Sequence, residues 1–200
     1  MNNKLDNFYY NIGKKISPHR GIILVAFPLI MLFTFWGKVE YVLLIWLLGL
    51  SLVLSGIGLR FWSVRQSGYR VRGKPRPGLT TSGPYAYTRN PLYIGNILML
   101  MGMGVLSKSL WLVPIVAVFS LFSYTCVAVY EEKELSEQYK GEYEEYRKAV
   151  PRWFPRSSPY KKRPPLFPWS DVFKTEIGSI IEVFAIIIAC AIKEMIVRWK

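Results

Sequence analysis

Five apolar stretches, each sixteen to twenty-one residues long, decide what this chain can fold into; they run over approximately 21–36, 39–59, 92–107, 110–130 and 177–192. Residues 21–36, 39–59 and 111–130 carry at most one charge apiece. At about 1.5 Å of rise per helical residue, segments of that length approach or cross a roughly 30 Å hydrocarbon layer. Lipid offers a backbone no hydrogen bonds, so such segments satisfy their amides internally, as helices. The expectation is an all-α, polytopic membrane protein with about five transmembrane helices. At 52% hydrophobic and 20% charged, the 200 residues are too apolar for disorder, and they show no collagen-like or coiled-coil repeat. Residues 1–20 are polar and 33–36 are bulky, so no cleavable signal peptide is expected.

Gly37 and Lys38 with their neighbours separate the first two stretches, and Ser107, Lys108 and Ser109 the third and fourth. Each pair therefore reads as a tight helical hairpin. Pro28 and Pro114 fall inside spans, where neighbouring groups can satisfy the freed carbonyls. Twenty-one Lys and Arg lie in residues 1–20, 60–90 and 131–175, against two, Lys38 and Lys108, in the short connections opposite. The positive-inside rule sets the N-terminus and both long loops in the cytoplasm. Glu182 interrupts the fifth stretch and Lys193–Glu194 closes it; it reads as a crossing helix, with an interfacial amphipathic helix as the alternative.

The net charge of +13 sits in segments abutting membrane helices, where anionic headgroups are the nearest partner. No zinc-finger, ribonucleoprotein or helix-turn-helix pattern points to nucleic acid. His19 is the only histidine and no acidic cluster has ligand spacing, so no metal is expected. The same isolation leaves no serine–histidine or cysteine–histidine nucleophile. Cys126 and Cys190 lie inside apolar runs and read as buried small hydrophobes. Gly102 and Gly104 lack the third glycine and the preceding strand of a dinucleotide loop, and read as small residues at a helix–helix contact.

The chemistry is concentrated in the two long loops. Residues 79–93 form a dense run of turn formers and aromatics, in which Gly83-Pro84 marks a turn and Asn90-Pro91 a helix start. Such a start leaves backbone N–H groups open to a carboxylate, and Arg89 adds a planar fork beside them. After the fourth stretch, Glu131 and Glu132 emerge from hydrocarbon, where an unpaired carboxylate is costly, so they are expected to face a polar pocket or a cation. Leu135, Tyr139, Tyr143, Tyr146 and Val150 then recur at helical steps, which predicts an amphipathic helix lying on the membrane, ended by Pro151, with Tyr139 outside the pocket.

Taken in order, Leu79, Thr81, Gly83 and Tyr85, then Arg89, Asn90, Pro91 and Tyr93, then Glu131 and Glu132, then Tyr143, Tyr146, Val150 and Pro151 resemble the cofactor-binding half of the isoprenylcysteine carboxyl methyltransferases and their bacterial and archaeal relatives, including phospholipid methyltransferases. The resemblance covers residues 79–155, about two fifths of the chain. It implies S-adenosylmethionine held in a cytoplasmic-face cofactor-binding subdomain, and methyl transfer to a lipid-like acceptor arriving through the bilayer. Arg89 and Glu132 are then the candidate catalytic residues, and Tyr85, Asn90, Pro91, Leu92, Tyr93 and Glu131 the candidate cofactor-binding set. The implied layout is residues 1–60 with the first two helices, 61–170 as the methyltransferase core, and 171–200 as a C-terminal apolar helix. Two departures stand out. Asn90 occupies the position of the family's usual histidine, which removes any titration near neutral pH there. Residues 111–130 hold no basic residue, with Val127 near the place where the prenylcysteine enzymes carry an arginine, so another lipid group is at least as good an acceptor as a prenylcysteine carboxylate. The competing readings are an NADPH-dependent membrane reductase of the sterol reductase type and a non-catalytic membrane scaffold.

Overall fold

The computed structural model describes residues 3–34, 41–68, 78–160 and 167–198. The chain forms α1 (Asn3–Ile16), α2 (Ile22–Phe33), α3 (Val42–Ser67), α4 (Pro91–Leu106), α5 (Leu112–Ala149) and α6 (Trp169–Arg198), and no strand occurs among the described residues. Single 3-10 turns at Ser17–His19 and Gly83–Ala86 complete it. The turn around Gly37 and Lys38 and much of the first long loop lie outside the described residues.

α3, α5 and α6 are long and apolar enough to cross a membrane; α4 is a shorter apolar helix, and α2 is apolar along all twelve residues. Leu43, Leu44 and Leu54 on α3, Val118 on α5, and Ile181 and Phe184 on α6 stand exposed on the outside of the bundle. An apolar belt of that extent is tolerable only against hydrocarbon. The protein is an all-α, polytopic integral membrane protein.

α3 and α4 form the closest pair. A Cβ on Gly56 would lie 2.6 Å from the Gly95 carbonyl oxygen, and one on Gly102 would lie 2.7 Å from that of Gly49. Only glycine lets the two backbones meet this way, which bears out the helix-contact reading of Gly102. Cys126 and Cys190 are both free and buried, as expected.

Three features depart from the sequence reading. Residues 3–16, read only as a polar leader to the first span, fold into α1 and pack along α5: Gly13 rests on the Cys126 carbonyl, and the Tyr10 and Tyr130 rings stand 5.5 Å apart. The predicted surface helix after residue 131 is instead the continuation of α5, broken at Lys140, where φ is 44° and ψ −120°. Its tyrosine face meets protein rather than lipid, because Tyr143, Tyr146 and Val150 bury against Leu79, Leu135 and Tyr160. Backbone hydrogen bonds hold that arrangement: the Arg89 N–H donates to the Pro151 carbonyl, Arg156 to Tyr87 and Tyr160 to Ala86, at 2.9–3.0 Å.

At the end of the bundle away from the long loops, the Lys193 ammonium on α6 donates to the Met31, Thr34 and Ser107 carbonyls at 2.6–3.2 Å, closing the C-terminal ends of α2 and α4. Glu194 accepts from the Trp46 indole at 2.6 Å and pairs with Lys108 at 3.4 Å.

Candidate active site

The run 79–93 and the segment leaving α5 at Glu131 come together at the opposite end. Tyr93, on the first turn of α4, donates its hydroxyl to Glu131 Oε2 at 2.8 Å, and the Tyr146 hydroxyl donates to the Tyr85 carbonyl at 2.8 Å. α4 opens at Pro91 with Asn90 as its cap, as the dipeptide predicts, although the Asn90 side chain makes no capping bond. Its amide donates instead to the Arg152 carbonyl at 3.3 Å and helps hold the returning segment. Between the two stretches lies a hollow of about 240 Å³.

The two glutamates have different surroundings. Glu132 is buried and takes a two-pronged contact from Arg152, Nε to Oε1 at 3.0 Å and Nη2 to Oε2 at 2.9 Å. Burial works to lower the Arg152 pKa, but the hydrogen bonds and charge of Glu132 outweigh it and carry the guanidinium above its ordinary value. Arg89 approaches the same carboxylate, Nε to Oε1 at 3.4 Å. Glu131 is the more open of the pair: Oε1 pairs with Arg20 from the turn after α1, and Oε2 takes the Tyr93 hydroxyl.

Of the residues singled out from sequence, Tyr85, Arg89, Asn90, Leu92, Tyr93, Glu131 and Glu132 all line this hollow. Pro91 is not part of the lining and serves to start α4. Tyr139, expected outside the pocket, lines it together with Leu135 and Tyr143, because the tyrosine face of α5 turns inward. Sequence reasoning missed Arg20 and Arg152, whose partners are 111 and 20 residues away. It also missed a buried polar chain behind the site: Glu176 holds Arg60, Arg60 donates to Asn96 at 2.6 Å, Asn96 donates to the Tyr124 hydroxyl at 3.3 Å, and the Tyr124 ring stacks on Tyr93 at 4.8 Å. The available signal was polar residues inside apolar stretches, Asn96 and Tyr124, or at their ends, Arg60 and Glu176, which in lipid need partners.

A second hollow of about 580 Å³ lies between α2, α4 and α6, bordered by His19, Arg20, Arg60, Asn96 and Glu182. It shares Leu92 and Tyr93 with the first. Among the described residues, no group of three or more His, Cys, Asp or Glu is placed to hold a metal.

A lipid-belted helical bundle with a hollow of carboxylates, tyrosines and an arginine at one end defines a polytopic membrane protein with a polar hollow at the end of its bundle. Residues 44–142 match the phospholipid methyltransferase family, and over that stretch, from early α3 to just past the break in α5, the chain belongs to it. It is 33% identical over 115 residues to the cobalt-zinc-cadmium resistance protein CzcN of Cupriavidus metallidurans, covering 58% of this chain and 50% of that protein. It is 30% identical over 109 residues to the nickel-cobalt-cadmium resistance protein NccN of Alcaligenes xylosoxydans xylosoxydans, covering 54% of this chain and 47% of that one. The chain thus spans about half the length of these curated relatives. No solved structure gives a significant match.

Proposed function

We propose that this chain is a membrane methyltransferase that binds S-adenosylmethionine in the first hollow and passes the methyl group to a lipid-like acceptor. One observation carries the reading. The Tyr143 hydroxyl is buried without a hydrogen-bond partner among the described residues, and its side chain lines that hollow beside Arg89, whose Nε stands 3.4 Å from Glu132 Oε1. Buried polar atoms are seldom left unpaired unless a ligand or water completes them. The other donors and acceptors there suit a zwitterionic nucleoside with a cationic centre.

S-adenosylmethionine, when bound, supplies an electrophilic methyl group on a sulfonium sulfur. In this reading Glu131 holds the cofactor's ammonium or its ribose hydroxyls. The start of α4 at Asn90, Pro91 and Leu92 receives the carboxylate with Arg89 beside it. Tyr85 and Tyr93 present rings to the base or the sulfonium. Glu132, engaged by Arg152 and close to Arg89, is a positioning residue. No covalent attachment to the chain is needed, since alignment in a water-poor site supplies up to about 7–11 kcal/mol of the barrier reduction. The charge distribution of the loops supports a cytoplasmic site with residues 61–170 as its core, and the apolar belt supports delivery of the acceptor from the bilayer.

The test is binding of S-adenosylhomocysteine to purified protein, with NADPH as the competing ligand. A ligand at 100 times its dissociation constant stabilises the fold by about 2.7 kcal/mol. S-adenosylhomocysteine should raise the melting temperature and NADPH should not, and Glu131→Gln and Arg89→Ala should each weaken binding while leaving the fold intact. Stabilisation by NADPH alone would transfer the hollow to a nicotinamide cofactor, and a response to neither would leave a scaffold.

A further inference from the structure

The two hollows are divided by one set of contacts. Arg20 borders the second hollow, Glu131 borders the first, Tyr93 borders both, and Glu131 is bonded to Arg20 through one oxygen and to Tyr93 through the other. Arg20 also donates to the Ser17 hydroxyl at 2.9 Å, which steadies it at the rim of the second hollow. Both Glu131 oxygens already carry a partner, so a ligand's ammonium or sulfonium entering the first hollow competes with Arg20 for the charge of one carboxylate. Arg20 is the one whose charge that cation duplicates, and a guanidinium released from Glu131 turns toward the space it already borders.

That space suits an amphiphile. Ile22, Val25 and Leu29, along its α2 wall, are exposed apolar side chains. Arg60 is already committed to Glu176 and Asn96, so it offers little charge to a ligand. Glu182, the acid on the α6 wall, repels an anion there and leaves the Arg20 end as the place for one. Resting on the proposed function, we propose that Arg20 couples the two ligands: it is held by Glu131 when the first hollow is empty, and on cofactor binding it is exchanged onto an anionic group of the amphiphile in the second hollow. Arg20 is then a positioning and specificity residue for the acceptor, and each ligand strengthens the binding of the other.

The experiment measures S-adenosylhomocysteine affinity by calorimetry in nanodiscs of phosphatidylcholine alone, with added phosphatidic acid, or with added fatty acid, so that phosphate and carboxylate are separate arms. This ligand has no net charge, so a bulk surface-potential effect is small. The Arg20–Glu131 side chains are 17% and 33% exposed, which places the competition at about threefold rather than hundredfold. Wild type should bind about threefold more tightly in discs carrying at least one of the two anionic lipids. Arg20→Gln should bind about threefold more tightly than wild type in phosphatidylcholine and lose the lipid response, and Arg20→Lys should restore part of it. A wild type that binds without any lipid response, or an Arg20→Gln variant that keeps one, overturns the exchange while leaving the proposed function standing. Absence of binding in every disc overturns both. Should Arg20→Gln fail to fold, the wild-type lipid response alone decides.

Discussion

Replacing Gly56 by alanine puts a Cβ 2.6 Å from the Gly95 carbonyl oxygen and 2.7 Å from Met99 Cγ. The first contact is about 0.8 Å inside the 3.4 Å at which ordinary van der Waals packing begins, and it is backbone against backbone, so no side chain can turn aside to relieve it. α3 and α4 must separate, loosening the seam that also runs through Gly49 and Gly102. Overpacking of this kind costs about 1–3 kcal/mol. The better helix propensity of alanine offsets about 1 kcal/mol of that, leaving a net loss of up to about 2 kcal/mol. For a chain of this size the loss corresponds to a melting temperature lower by up to about 6 °C, and below that of a variant that gains the propensity alone. Gly58, two residues along the same helix, is the natural control, because a Cβ there meets nothing within 4 Å and only the propensity gain remains. Helical circular dichroism followed through thermal unfolding in detergent compares the two variants. Equal melting temperatures, or a lower one for Gly58→Ala, would refute the claim that backbone contact at Gly56 sets the α3–α4 spacing.

Arg152→Ala should lower stability by about 2 kcal/mol, because it strips the buried Glu132 carboxylate of a two-pronged partner that is itself 29% exposed. Arg152→Lys should recover only part, since an ammonium cannot reproduce the fork; denaturation of the three proteins side by side checks it, and an unchanged Arg152→Ala sinks it. Lys193→Met should destabilise by about 2 kcal/mol through three carbonyls left without their charged donor, yet leave S-adenosylhomocysteine affinity as in wild type, since that cluster sits at the other end of the bundle. A change in affinity without a change in melting temperature would contradict this.

The fold class was readable because hydrocarbon admits so few backbone solutions that length and apolarity alone identify a crossing helix. The join at Asn90-Pro91 was readable for an equally local reason. The helix at residues 3–16 was passed over because its charges dominate the count, although Tyr9, Gly13 and Ile16 recur at helical steps and the face they form packs on α5. Tyr139 was misplaced because periodicity states that a face is apolar without saying what covers it; residues 150–160 return to residues 86–89 and supply a protein cover where lipid was expected. The pairings of Glu131 with Arg20 and of Glu132 with Arg152 were beyond local reading, since nothing near a glutamate in sequence identifies a cation delivered by another segment. A polar pocket facing Glu131 and Glu132 was legible from their emergence out of an apolar stretch, but the cations that divide and brace it were not.

The ammonium of Lys193 has a mechanical consequence. By fastening the C-terminal ends of α2 and α4 to α6, it leaves the opposite end of α2 tied through the Arg20 pair with Glu131, so exchange of that pair is what would let this end move. α2 spans about 18 Å, so a tilt of about ten degrees around the Lys193 end widens the mouth by ~3 Å, a useful fraction of an acyl chain's girth. A bundle fastened in this way would part like a clothes-peg, admitting a tail sideways where a headgroup can meet Arg20 while its opposite end stays shut.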